Sequence, residues 1–184
     1  MLREVPPPVS PELAAIYADV YRQHFAFVWR SLRRLGVAER ELADGVQEVF
    51  LVVFKKLPEL ELTGKITTWL FAVCLRVASD WRRRAHRRHE QIGVEQAEPA
   101  AKIEESRLLE LRALLRKALD LMPMDQRAVF VAFELEGMTG DEIAIALKLP
   151  TPTVHSRLRL ARERFRAVLD RERGRPAREL GGKR

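Results

Sequence analysis

Apolar residues recur along this chain at spacings of three and four, and few segments alternate at two, so the pattern predicts helices almost throughout. Tyr17, Val20, Tyr21, Phe25, Val28, Leu32 and Leu35 form one stripe that begins near Pro11 and ends at Gly36, a residue suited to closing a helix. Leu42, Val46, Val49, Phe50, Val53 and Leu57 predict a second helix over 39–57, stopped before Pro58. A third starts near Lys65, carries Trp69, Leu70, Val73, Val77 and Trp81, and runs into arginines. Three helices of this length enclose one small core. Residues 89–106 have no clear period and read as a linker.

Helical pattern resumes with Leu108, Leu111, Leu115 and Leu119 and stops before Pro123. Asp125 is placed to cap a helix over 126–136, with Val129, Phe130 and Phe133 inward and Gly137 as its stop. Thr139 and Glu142 fit a capping box, in which each side chain satisfies the other's free backbone donor. The short helix 141–147 follows. After Lys148-Leu149-Pro150, Thr151 is placed to cap again and Pro152 to take the first helical position, where its missing N–H costs nothing. The last helix extends to about residue 170 on Val154, Leu158, Ala161, Phe165 and Leu169. The expected architecture is all-α: a disordered N-terminus (1–10), a helical domain (11–88), a flexible linker (89–106), a second helical domain (107–170) and a disordered basic tail (171–184).

A short helix, a tight turn and a second capped helix make a helix-turn-helix candidate. Opposite its apolar stripe the last helix offers Ser156, Arg159 and Glu163, with Thr153 and His155 at the rims. Hydroxyl, imidazole and guanidinium groups there donate to phosphates and base edges. An ordinary helical hairpin with a basic outer face fits the same spacing, so both interpretations stand at this point.

Charge distribution is compatible with both. The chain has 184 residues and a net charge of +7. The balance is +5 over 10–88, with six arginines between 76 and 88, then −4 over 89–106, +2 over 107–170 and +4 over 171–184. Two basic patches split by an acidic stretch suggest two nucleic-acid-binding modules. Solvated helix faces give the same counts. At 47% hydrophobic and 32% charged, the composition is that of a globular protein. The single cysteine excludes a disulfide framework and a cysteine-rich zinc site and suits a reducing cytoplasm. Apolar runs fall short of the roughly 18 residues a membrane span needs, and MLREVPPPVSPEL lacks an apolar signal core. His24, His86 and His89 form no ligand pattern with carboxylates or Cys74. No catalytic residues, metal site or cofactor are expected from these residues, and the chain is read as cytoplasmic; the resemblance described next implies that it is not an enzyme.

The stretch LRKALDLMPMDQRAVFVAFELEGMTGDEIAIALKLPTPTVHSRLRLARERFR resembles region 4 of bacterial extracytoplasmic-function sigma factors. The matching positions are Arg127, Val129, Phe130, Glu136, Gly137, Thr139, Glu142, Ile143, Ala144, Pro150, Thr153, Val154, Ser156, Arg157, Leu158, Ala161 and Arg162. The first half resembles region 2 of the same family through Asp44 and Val46-Gln47-Glu48-Val49-Phe50, then Thr68-Trp69-Leu70-Phe71 followed by Asp80 and Arg83. The resemblance spans about residues 12–170. Gly45, Ile66, Arg76, Pro152, His155 and Leu160 depart from the family pattern, which bears on promoter sequence rather than class.

The resemblance implies a protein that binds core RNA polymerase, directs it to a promoter and helps open the duplex. Asp44, Gln47, Glu48 and Phe50 are the implied polymerase contacts. Lys65, Thr67, Arg76, Asp80, Trp81, Arg82, Arg83, Arg84, Arg87 and Arg88 are implied at the −10 element, with residues 60–68 as a loop accepting a flipped base. Thr151, Pro152, Thr153, His155, Ser156, Arg157, Arg159 and Arg162 are implied at the −35 element. Trp69 lies on the apolar stripe and is expected in the core, Trp81 at exposed bases. The implied partners are polymerase, promoter DNA and an anti-sigma factor, often membrane-bound in this family, with a change in domain orientation between inhibited and polymerase-bound states. The alternatives are a helix-turn-helix regulator acting without polymerase and a nucleic-acid enzyme, which needs a catalytic metal site or nucleophile that the sequence does not offer.

Overall fold

The computed structural model describes residues 10–60, 64–92 and 106–174, without the side chains of 85–92, 106–108 and 173. The expected N-terminal disorder, most of the linker and most of the tail lie outside the described residues. Seven helices occur among them: α1 (Pro11–Leu35), α2 (Leu42–Lys56), α3 (Ile66–Ile92), α4 (Ser106–Asp120), α5 (Met124–Phe130), α6 (Gly140–Leu147) and α7 (Thr151–Arg173). No strand is present among the described residues.

Local chemistry sets the ends of α1. The Ser10 side chain accepts from the Leu13 N–H at 3.2 Å, and Pro11 opens the helix. At the other end Gly36 adopts φ 100°, while the Val37 N–H donates to the Leu32 carbonyl at 3.1 Å, a glycine closure that satisfies an otherwise free acceptor. The second helix starts later than its apolar pattern suggests, because Glu39–Glu41 and Leu57–Glu59 wind as single 3-10 turns at its two ends.

Two expected caps do not form. The chain enters α5 through extended Pro123 and α7 through extended Pro150, and neither helix has a side-chain cap. Asp125 lies inside the first turn of α5 and pairs with Arg157 at 3.3 Å. Thr151 is already helical, its hydroxyl donating to Asp141 at 3.3 Å, so Pro152 is the second helical residue. The expected capping box is present: the Glu142 N–H donates to Thr139 Oγ1 at 3.2 Å and the Thr139 N–H to Glu142 Oε2 at 2.8 Å. The expected helix 126–136 instead changes to a wider π turn over Val131–Leu135, and Gly137 at φ 68° turns the chain.

Helices α1–α3 bury Val28, Leu32, Leu35, Val46, Val49, Phe50, Leu70, Phe71 and Cys74. Helices α5–α7 bury Val129, Phe130, Ile143, Val154, Leu158 and Ala161. These two groups belong to one contiguous apolar cluster, so the two helical units pack on each other through α1 against α5 and α3 against α6. Each fully buried Leu or Phe contributes about 1.5–3 kcal/mol.

Candidate nucleic-acid interface

Helix α2 carries Asp44 and Gln47 exposed and Glu48 half-buried on its outer side, where Asp44 and Glu48 are one turn apart. Phe50 is a correction to the expected polymerase contacts. It is 2% exposed and its ring meets Tyr17 and Tyr21, with centroids 6.5 and 4.5 Å away. Its place on the Val46–Val49–Val53 stripe was the available signal. Gly45 is buried because α2 passes close to α1: a Cβ there would stand 3.3 Å from Leu32 Cδ1.

The arginine run on α3 does not form one patch. Successive residues of a helix point about 100° apart, and the neighbours differ accordingly. Arg82 turns toward the second unit, its Nη1 3.5 Å from Met124 Sδ. Arg83 pairs with Asp80. Arg84 pairs with Glu48 at 3.1 Å and lies over the Trp81 ring, 5.4 Å from its centroid. Trp81, expected at exposed bases, is half-buried, and its indole N–H is buried without a hydrogen-bond partner among the described residues. Arg76 is exposed and Thr67 half-buried. Trp69 is half-buried against the core. Lys65 pairs with Glu142 of the second unit at 2.9 Å. The side chains of Arg87 and Arg88, and part of the loop 60–68, lie outside the described residues.

In α7 the core side holds Val154, Leu158 and Ala161, which leaves Pro152, His155, Ser156 and Arg159 exposed at the N-terminal turns. Thr153 is half-buried and its carbonyl accepts from Ser156 Oγ at 2.9 Å. Arg159 pairs with Glu163 on its own helix. Arg162 pairs with Glu134 at 2.7 Å and lies over Phe133. Arg157 is held by Asp125, which turns it from the exposed face. His155 folds back toward α6: a Cβ on Gly140 would be 2.9 Å from its Nε2, so a side chain there would push the imidazole aside. An open groove beside α7 is lined by Phe133, His155, Arg159, Arg162 and Arg166. This surface is rich in N–H groups that donate hydrogen bonds to phosphate oxygens.

Two buried charges were missing from the expected site. The Glu136 side chain is 3% exposed and receives Arg34 Nη1 at 2.8 Å and Ser31 Oγ at 3.3 Å, with Arg30 at 3.8 Å. The Arg127 side chain, also 3% exposed, donates through Nε to the Arg34 carbonyl at 2.6 Å and pairs with Asp120 at 2.9 Å. Burial works against the Arg127 charge and Asp120 supports it. Their signal in the sequence was a charge set inside an apolar run. Among the described residues no group of three His, Cys, Asp or Glu side chains could hold a metal ion, and no helix is long and apolar enough to cross a membrane.

Two packed helical units, the second ending in a helix-turn-helix with a basic outer face, define a DNA-binding architecture. Sigma-70 region 2 matches residues 20–88 and sigma-70 region 4 matches residues 112–165. These two models together match more than half of the chain, which belongs to the sigma-70 family. It is 29% identical over 159 residues to the ECF RNA polymerase sigma factor SigE of Mycolicibacterium smegmatis, covering 82% of this chain but 60% of that relative's length. It is 28% identical over 161 residues to the RNA polymerase sigma factor NccH of Alcaligenes xylosoxydans xylosoxydans, covering 83% of this chain and 86% of NccH. Among solved structures, the sigma factor RpoE in complex with the anti-sigma factor NepR from Bartonella quintana matches with TM-score 0.67 at 22% identity, over 82% of this chain and 96% of RpoE.

Proposed function

We propose that this chain is a transcription initiation factor that directs core RNA polymerase to promoters and does no catalysis of its own. The observation that carries the reading is the capped helix-turn-helix, whose second helix leaves Ser156, His155 and Arg159 on an exposed turn beside a unit matched by sigma-70 region 2. In this reading Asp44, Gln47 and Glu48 face the polymerase. Lys65, Arg76, Trp81, Arg82 and Arg84 serve the opened −10 strand, and Arg83 is oriented by Asp80. Thr153, His155, Ser156 and Arg159 read or grip the −35 duplex, while Arg157 and Arg162 support them. The protein works in the cytoplasm, and an anti-sigma factor is its regulatory partner, as one is for the Bartonella protein.

The test is transcription from a genomic promoter library with purified bacterial core polymerase. Promoter-specific transcripts that require this protein support the reading. DNA binding without polymerase capture and without new transcripts would replace it with a free-standing regulator.

A further inference from the structure

Most arginines of α3 whose side chains are described already have partners. Arg82 turns to Met124, Arg83 pairs with Asp80, and Arg84 pairs with Glu48 over the Trp81 ring. Arg76 differs: it is exposed and has neither a hydrogen bond nor an ion pair among the described residues. A carboxylate does stand one turn away. Asp80 follows Arg76 by four positions and precedes Arg83 by three. A helix favours the pair whose acid lies nearer its N-terminus, because that order suits the helix dipole. Asp80 therefore goes to Arg83, and the guanidinium of Arg76 keeps its N–H donors open.

The surroundings of Arg76 decide what it can meet. Trp69, Ala72, Arg76, Asp80 and Arg83 follow one another at three and four positions, so they line one face of α3 about 21 Å long. Trp69 and Ala72 are half-buried, which leaves the face low and apolar before Arg76 and charged after it. Ala72, one turn earlier, is small enough for a planar group to approach the guanidinium from that side. The arginines further along suit a phosphate backbone, which is held through charge and carries no sequence information. An open planar fork beside a small side chain suits a base edge. Guanine presents two acceptors, O6 and N7, side by side, and an arginine meets both at once. That edge is accessible in a paired guanine and in an unpaired one.

We propose that Arg76 is a specificity-determining residue that selects a guanine within the −10 element through paired hydrogen bonds to O6 and N7. The proposal rests on the reading of the exposed α3 face as the −10 contact surface and deepens it by naming the base. The competing role is a phosphate grip, which would strengthen binding to all sequences alike.

The test uses the full chain with bacterial core polymerase, on a promoter recovered from the genomic library and randomised over its −10 element. The parent is expected to favour guanine at one position. Arg76→Ala is expected to lose about 5- to 150-fold of that preference, the range for one bidentate base contact, with preferences at other positions unchanged. Arg76→Lys keeps the charge without the fork and is expected to lose guanine selection as well. Replacing that guanine with 7-deazaguanine removes N7 and leaves the protein intact. It is expected to weaken transcription by the parent and to cost Arg76→Ala nothing further. A uniform loss over all sequences in Arg76→Ala overturns the proposal in favour of the phosphate grip. A guanine preference that survives Arg76→Ala, equal 7-deazaguanine losses in parent and variant, or a parent without any guanine preference in the −10 element also overturns it. A parent that yields no promoter-specific transcript overturns the −10 reading itself, and the proposal with it.

Discussion

Single positions in this protein are decided by what lies across from them. Gly45 interrupts α2 at a nominal cost of about 1 kcal/mol in helix propensity, yet Leu32 of α1 stands 3.3 Å from where a Cβ would begin. Gly45→Leu is therefore expected to destabilise by about 1–3 kcal/mol through overpacking. Urea unfolding with an unchanged slope checks this, and a stabilised variant would contradict the packing account. Phe50 makes the same point in reverse. The short match around Val46-Gln47-Glu48 drew it to the polymerase-facing group, but its helical phase carries it into the core. Asp44, Gln47 and Glu48 were legible as an outer face because periodicity alone separates them from that stripe.

At the scale of elements, helix identity and most stops were legible, since they depend on local chemistry. Gly36, Gly137 and the Thr139–Glu142 box act within a few residues of themselves. The caps proposed for Asp125 and Thr151 failed because those side chains have distant partners, Arg157 and Asp141, and a proline already shapes each entry. The π turn after α5 left no periodic trace over its five residues. The capping box also gives α6 a pH dependence. The Thr139 N–H, and then Lys65, hold the Glu142 carboxyl below its ordinary range. A carboxyl depressed in the folded state adds stability above its unfolded pKa and loses it as pH falls through the folded value. Acidification from neutral pH is thus expected to lower the Tm of the parent more than that of Glu142→Gln. Equal losses in thermal melts would show that the box carries no such linkage.

For the whole molecule, the division into two units was legible from charge and period, but their contact was not. Nothing local in Arg34 or Glu136 indicates a partner 102 positions away. One shared apolar cluster predicts one cooperative unfolding transition. All three tryptophans, Trp29, Trp69 and Trp81, lie in the first unit, so their fluorescence follows that unit while far-ultraviolet dichroism follows both. The two signals are expected to coincide in urea, and a dichroism transition split from the fluorescence one would mean that the units unfold independently.

The sequence distance across the Arg34–Glu136 pair acquires a different meaning during synthesis. Its two halves leave the ribosome 102 residues apart. At about 5–20 residues per second, α1 waits roughly 5–20 s for its carboxylate. Over that interval the nascent first unit presents two unneutralised arginines beside a polyanionic ribosome, and a stalled chain ending before residue 136 would keep them there.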